Sequence, residues 1–214
     1  MDLEAFKKKY EPDVARITIN GKSFQFFVPS TLEPFMNTED PHHHFPLWAK
    51  IWEASLVLAE ELAQLRPDPQ KQLLEIGAGL GTVGIIASFF GHQVTITEYD
   101  DYALAFAQAN AHLNQVSPVS IQKLDWHDPQ LKGQFHLIFG SEIVYKEQDY
   151  QPLLALFQRY LRPKCHIVLA DGLRRTSLAF FGHMSNHFHV EGQKKVLRSQ
   201  NSETTILLCS MTPK

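Results

Sequence analysis

Glycine stands at positions 77, 79 and 81, directly after the apolar run Leu73-Leu74-Glu75-Ile76 and directly before a helical pattern that begins near Thr82. A turn of this kind lets the backbone approach a ligand where a side chain would block it. Glu98 follows Gly77 by 21 positions, at the end of the next apolar run, Val94-Thr95-Ile96-Thr97. Strand, glycine turn, helix, strand and acid form one half of a nucleotide-type cofactor site, with the acid placed to hold ribose hydroxyls. The dinucleotide fingerprint requires a third glycine at position 82. Thr82 stands there, which disfavours NAD and FAD. Glu75 and the pair Asp125-Trp126 also fall at the C-terminal ends of expected strands, the edge where open α/β sheets bind ligands. Glu142 and Tyr145, three residues apart after another strand, face one cavity if that segment turns helically.

These residues need a scaffold, and the apolar periodicity supplies one. From residue 72 the pattern alternates, with strands expected near 72–76, 93–98, 118–123, 135–140 and 165–170, and helices near 82–90, 101–113 and 149–160. That alternation calls for a mostly parallel, doubly wound α/β sheet with helices on both faces. After Asp171 a helix near 175–186 is followed by two strands, roughly 188–198 and 203–211, joined by Ser199-Gln200-Asn201-Ser202. So short a link forces antiparallel pairing. Upstream, Val14, Ile17 and Ile19 lead through Asn20-Gly21 to Phe24, Phe26 and Val28, a hairpin over 14–28. A proline- and histidine-rich loop spans 29–46, and a helix over about 51–65 carries Ile51, Ala54, Leu58 and Leu62 before Pro67 and Pro69 end it.

The glycine spacing resembles motif I of class I S-adenosylmethionine (SAM) methyltransferases. Trp52-Glu53-Ala54-Ser55, the glycines, Thr97-Glu98, Leu124-Asp125-Trp126 and Gly140-Ser141-Glu142-Ile143-Val144-Tyr145 occur in one order. Together they resemble methyltransferase family 16, the seven-β-strand protein lysine methyltransferases known by a D/E-x-x-Y motif. The likeness covers about residues 45–210. It implies a Rossmann-like class I fold, a seven-stranded mostly parallel sheet with a C-terminal antiparallel hairpin, to which the N-terminal β-hairpin is added. It also implies a SAM-dependent N-methyltransferase acting on a protein lysine.

Carried over by resemblance, Gly77, Ala78 and Gly79 pass under the methionine and ribose of SAM, and Glu98 accepts from both ribose hydroxyls. Glu75 lies near the methionine amino end, the alternative for an acid in an apolar strand being an internal ion pair. Trp126 lies along the adenine unless it is a core residue. Asp125 accepts from the exocyclic amine or caps a turn. Trp52 closes over the cofactor, with Trp48 four residues earlier as packing, and the Ser141 backbone borders it. Glu142 and Tyr145 are the catalytic candidates, with Glu where most relatives have Asp; the bland alternative is a surface pair flanking Ile143-Val144.

With 214 residues the chain suits an N-terminal extension over 1–46 and a methyltransferase domain over 47–214. The net charge of -3 gives no global bias towards nucleic acid or an anionic membrane. Lys7-Lys8-Lys9, the longest basic run, reads as a solvated helix face. Adenine amino-methylating enzymes commonly carry Asn/Asp-Pro-Pro-aromatic where this chain has Ser141 to Tyr145, so a nucleic-acid substrate is disfavoured. A small-molecule amine acceptor and a non-catalytic SAM-binding module stay open beside the protein substrate. The adjacent His42, His43 and His44 read as a loop at the substrate entrance, not a metal site. Cys165 and Cys209 read as buried free thiols, and with neither a signal peptide nor a membrane span the expected location is cytoplasmic. Oligomeric state leaves no mark in the sequence.

Overall fold

The computed structural model describes residues 1–36, 45–116, 118–198 and 203–214. It opens with α1 (Leu3–Tyr10), capped by the Asp2 carboxylate, which accepts from the Glu4 and Ala5 amides at 3.0 and 3.1 Å. The hairpin of β1 (Asp13–Ile19) and β2 (Lys22–Val28) follows, turning at Asn20-Gly21. Next come α2 (Glu53–Gln64), β3 (Gln72–Glu75), α3 (Thr82–Phe89), β4 (Gln93–Glu98), α4 (Asp101–Leu113), β5 (Ser120–Lys123) and β6 (Phe135–Ser141). The chain then runs through α5 (Tyr150–Tyr160), β7 (Leu161–Gly172), α6 (Arg175–Met184), β8 (Phe188–Arg198) and β9 (Glu203–Pro213). Every element expected from periodicity is present. The largest boundary change is at β7, which starts at 161 and not near 165. Pro163 and the left-handed Lys164 (φ 62°) lie where its register with β6 shifts, so no apolar alternation marks that start.

Seven strands form one sheet in the order β5-β4-β3-β6-β7-β9-β8. The first five are parallel, and β9 pairs antiparallel with both β7 and β8. Strand parity divides the apolar residues between two cores. Leu73, Leu137, Phe139, Ala170, Ile206 and Leu208 point to the face covered by α2 and α3. Their neighbours Leu74, Ile138, Leu169, Leu207 and Cys209 point to the face covered by α5 and α6. Strands buried on both faces read as nearly continuous apolar runs, as these do.

A third cluster fastens the N-terminal elements to the sheet domain. Phe6, Phe27 and Phe106 pack there with Tyr10, Phe35 and Trp48. The outer edge of β2 would otherwise present unpaired backbone groups, and two side-chain amides, one in α4 and one at its C-cap, answer it. Asn110 accepts the Phe27 amide at 2.7 Å and donates to the Phe27 carbonyl at 3.2 Å. Asn114, one turn later, accepts from the Gln25 amide at 3.1 Å and donates to its carbonyl at 2.7 Å. The helix thus supplies what a neighbouring strand would supply. Asn110 also donates to the Leu80 carbonyl at 3.1 Å, tying the hairpin to the glycine turn.

Candidate functional site

The C-terminal ends of β3, β4 and β6 open into one cavity of about 520 Å³, within the usual range for small-molecule sites. Gly77, Ala78, Gly79, Glu98, Asp125, Trp126, Trp52, Ser141, Glu142 and Tyr145 all line it. The glycine turn is shaped for close approach. Gly77 has φ 61°, and a Cβ there would stand 2.9 Å from Ile143 Cγ2 and 3.2 Å from the Trp126 ring. Gly79 faces the Trp48 backbone, so Trp48 both packs in the aromatic cluster and walls the cavity.

Glu98, at the end of β4, organises this turn. One carboxylate oxygen accepts from the Gly79 amide at 2.7 Å, the other from the Tyr99 and Asp100 amides at 2.6 and 3.1 Å. Burial raises its pKa, and the three N–H donors partly oppose that rise. A carboxylate offers about four acceptor positions. Three are engaged by the main chain, which leaves less room for the bidentate hydroxyl contact than the resemblance implied. Asp125 lines the cavity and, as the turn-capping alternative has it, accepts the His127 amide at 2.9 Å.

Glu75 is a correction. It was expected at the methionine end of the cofactor, yet it is not among the residues lining the cavity. Its side chain turns inward beneath α3 and accepts from the Gly84 amide at 3.0 Å. Nor is it in an ion pair with any of the described residues. Burial drives its pKa well above the ordinary carboxylate value. Position 84 holds glycine for this reason: a Cβ there would overlap the Glu75 carboxylate.

The Glu142-x-x-Tyr145 segment also differs from expectation. No helical turn forms: β6 ends at Ser141, Glu142 adopts a left-handed φ of 50°, and residues 143–146 have no regular structure. Glu142 and Tyr145 reach one cavity nonetheless. A non-glycine residue held left-handed costs on the order of 1–3 kcal/mol and marks a constrained site. The constraint comes from β7. Its Ala170 carbonyl accepts from the Glu142 amide at 2.9 Å, and its Gly172 amide donates to Glu142 Oε1 at 2.9 Å. Arg174 Nη2 pairs with both Glu142 Oε2 and Asp171 Oδ1, and its guanidinium lies 5.1 Å from the Tyr145 ring centre. Burial, then the Asp171 charge, raises the Glu142 pKa, while Arg174 pulls it down. Burial, then the Glu142 charge, pushes the Tyr145 phenol far above its ordinary value, so it stays protonated.

Sequence reasoning missed several groups at this site. Ser55 lines the cavity and shares a 2.9 Å hydroxyl contact with Ser141; its place one turn beyond Trp52 on α2 was the available signal. Lys50, Tyr99 and His127 line it from the loops beside Trp52, Glu98 and Trp126. Arg174 was signalled only by its spacing of three from Asp171. Trp52 donates its indole N–H to the Leu47 carbonyl at 2.8 Å, with Lys50 Nζ 4.6 Å from its ring centre. The His42–His44 loop lies outside the described residues. Among those that are described, no helix is long and apolar enough to cross a membrane.

A parallel sheet closed by an antiparallel hairpin, with a glycine turn and a strand-end acid around one cavity, defines the class I SAM-dependent methyltransferases. Solved members share the fold. The SAM-dependent methyltransferase from Agrobacterium tumefaciens aligns over 94% of this chain and 70% of its own, with TM-score 0.63 and 17% identity. Precorrin-6y C5,15-methyltransferase from Geobacter metallireducens aligns over 75% and 87%, with TM-score 0.62 and 15% identity. More narrowly, residues 43–187 match the lysine methyltransferase family model, and the chain belongs to that family. Among curated relatives, protein N-lysine methyltransferase METTL21A of Danio rerio is 38% identical over 134 residues, 59% of this chain and 61% of that protein. EEF1A lysine methyltransferase 3 of Mus musculus is 35% identical over 152 residues, 67% of this chain and 65% of that protein. The chain thus spans rather less than two thirds of the length of these two relatives. Its cofactor is SAM.

Proposed function

We propose that this protein transfers a methyl group from SAM to a lysine side chain of a protein substrate. One observation carries the reading: the glycine turn with Glu98 and Trp126, and the Glu142-x-x-Tyr145 element, line a single cavity. The residues present fit the cofactor. Gly77 and Gly79 put bare backbone on the cavity wall, Glu98 offers its remaining acceptor position, and Trp126 offers a flat apolar wall. The names of METTL21A and EEF1A lysine methyltransferase 3 support a protein lysine over a small amine.

Bound SAM supplies a methyl group already activated by its sulfonium. The chain must then present a neutral amine in line with it. A free lysine has a pKa of about 10.4, so roughly one amine in 10³ is neutral near pH 7. Removing the side chain from water favours the neutral form. Glu142, on the cavity wall, has one oxygen pinned by Gly172 and the other by Arg174, so its charge is held in a fixed place. We assign it orientation of the amine and compensation of its developing charge. Tyr145, held neutral, serves as a hydrogen-bonding wall.

We treat residues 47–214 as the catalytic domain and 1–46 as its extension; the family match spans 43–187. The free thiols of Cys165 and Cys209 suit a reducing compartment, and we place the protein in the cytoplasm. Incubation with methyl-labelled SAM and a host lysate, followed by mass spectrometric location of the label, tests the reading. Methyl-lysine in protein is the expected product. Label confined to nucleic acid or a metabolite overturns it.

A further inference from the structure

Behind Glu142, away from the residues that line the cavity, lies a second carboxylate. Asp171, next to last in β7, is fully buried and accepts from Ser177 Oγ at 2.9 Å and from the Val144 amide at 3.4 Å. Arg174 Nη2 reaches both acids at once, while its Nε is buried without a partner among the described residues. An unmet buried donor is unfavourable, so the side chain is placed by the two carboxylates and not by its own hydrogen-bond count. Two like charges in one buried site disfavour each other's ionisation. One guanidinium between them leaves the group with a single net negative charge, the complement of an arriving ammonium.

We propose that Arg174 is a positioning residue for methyl transfer: it keeps Glu142 charged next to Asp171 and fixes both the Glu142 carboxylate and the Tyr145 ring towards the acceptor. The inference rests on the lysine methyltransferase reading for its purpose, though not for its electrostatics. The groups facing Glu142 are Tyr145 on its own loop, Asp171 of β7 and Arg174 ahead of α6. Cys209 of β9 stands behind Asp171, its thiol pushed up to about 12 by burial and by the Asp171 charge. Lys50 and Lys146 line the same cavity, but among the described residues Arg174 is the cation paired with both acids, so its removal makes both carboxylates harder to ionise.

The test uses the cofactor-free protein labelled with ¹³C at glutamate carboxyls, the Glu142 signal being assigned through Glu142→Gln. Losing an opposite charge at this range moves a carboxylate midpoint up by about 1–3 pH units. Arg174→Gln is expected to show that shift, Arg174→Lys to stay near the wild type, and Asp171→Asn to lower the midpoint. With SAM and lysate protein, Arg174→Gln is expected to lose transfer at neutral pH, regain it as pH rises, and keep SAM affinity within about twofold. An unmoved Glu142 midpoint in Arg174→Gln overturns the proposal, as does transfer lost equally at every pH. If Arg174→Gln does not fold, Arg174→Lys and Asp171→Asn decide by the same titration. Wild-type protein that methylates no lysine would refute the functional reading and leave the titration result standing.

Discussion

Replacing Asn110 by alanine isolates the link between hairpin, helix and glycine turn. The side chain is fully buried and makes three hydrogen bonds, to the Phe27 amide, the Phe27 carbonyl and the Leu80 carbonyl. Alanine leaves the Phe27 N–H facing a methyl group, and an unmet buried donor costs about 1–3 kcal/mol. The two carbonyls add a smaller loss, and alanine's better helix propensity returns about 0.7 kcal/mol or less. The net expectation is about 2–4 kcal/mol of destabilisation. For a chain of this size that lowers Tm by roughly 5–12 °C in calorimetry. Asn114→Ala is the control, since its Gln25 contacts are partly open to water and its loss should stay near 1 kcal/mol or below. Hydrogen exchange gives the local readout: the Phe27 amide should lose protection in Asn110→Ala while β7 amides keep theirs. A Tm change no larger than that of Asn114→Ala, with Phe27 still protected, would refute this account of how β2 is held.

Glu142→Gln should lower kcat by about 10²-fold in the labelled-SAM assay while SAM affinity by titration calorimetry stays within about twofold. A matching loss of SAM affinity would move Glu142 into the cofactor contacts. Glu98→Ala removes charged acceptors from the Gly79, Tyr99 and Asp100 amides, and charge-assisted bonds of about 1.5–3 kcal/mol predict a 10–150-fold weaker SAM Kd. An unchanged Kd removes Glu98 from the site. Glu75 holds its proton in the folded state above the pH at which the unfolded chain releases it. Its contribution to stability therefore falls as pH rises from the ordinary carboxylate range, by at most about 1.4 kcal/mol per pH unit. Glu75→Gln should lack that slope in denaturant titrations across pH 4–8, and identical slopes in the two proteins would refute the assignment.

The fold was legible because buried strands and amphipathic helices write their period into the sequence, and Asn20-Gly21 and the polar link at 199–202 told which strands turn back. The lining residues were legible where backbone geometry dictates residue type, as at Gly77 and Gly79. Glu75 was misplaced because a strand pattern does not say which way an end residue points. Its partner, the Gly84 amide, belongs to a glycine read only as part of a helix. The Glu142 segment was given a helical turn because spacing of three suggests one. Main-chain bonds from β7, distant in sequence, impose a left-handed residue there, and no local pattern reports them. Arg174 stayed hidden for the same reason, since its meaning depends on two acids brought together by neighbouring strands.

The place of β9 in the sheet has a consequence for how the site comes into being. β7 carries Asp171 and Gly172, and these pair with Leu207 and Ile206 of β9, the last strand in chain order. Until that strand has left the ribosome, β7 is an open edge, and the amides and carboxylates that hold Glu142 lack a rigid backing. The glycine turn is different, because β3 and β4 pair with each other and both precede β7 and β9 in the chain. The cofactor side can therefore form before β9 is made, whereas the acceptor side gains its rigid backing only when β9 joins the sheet.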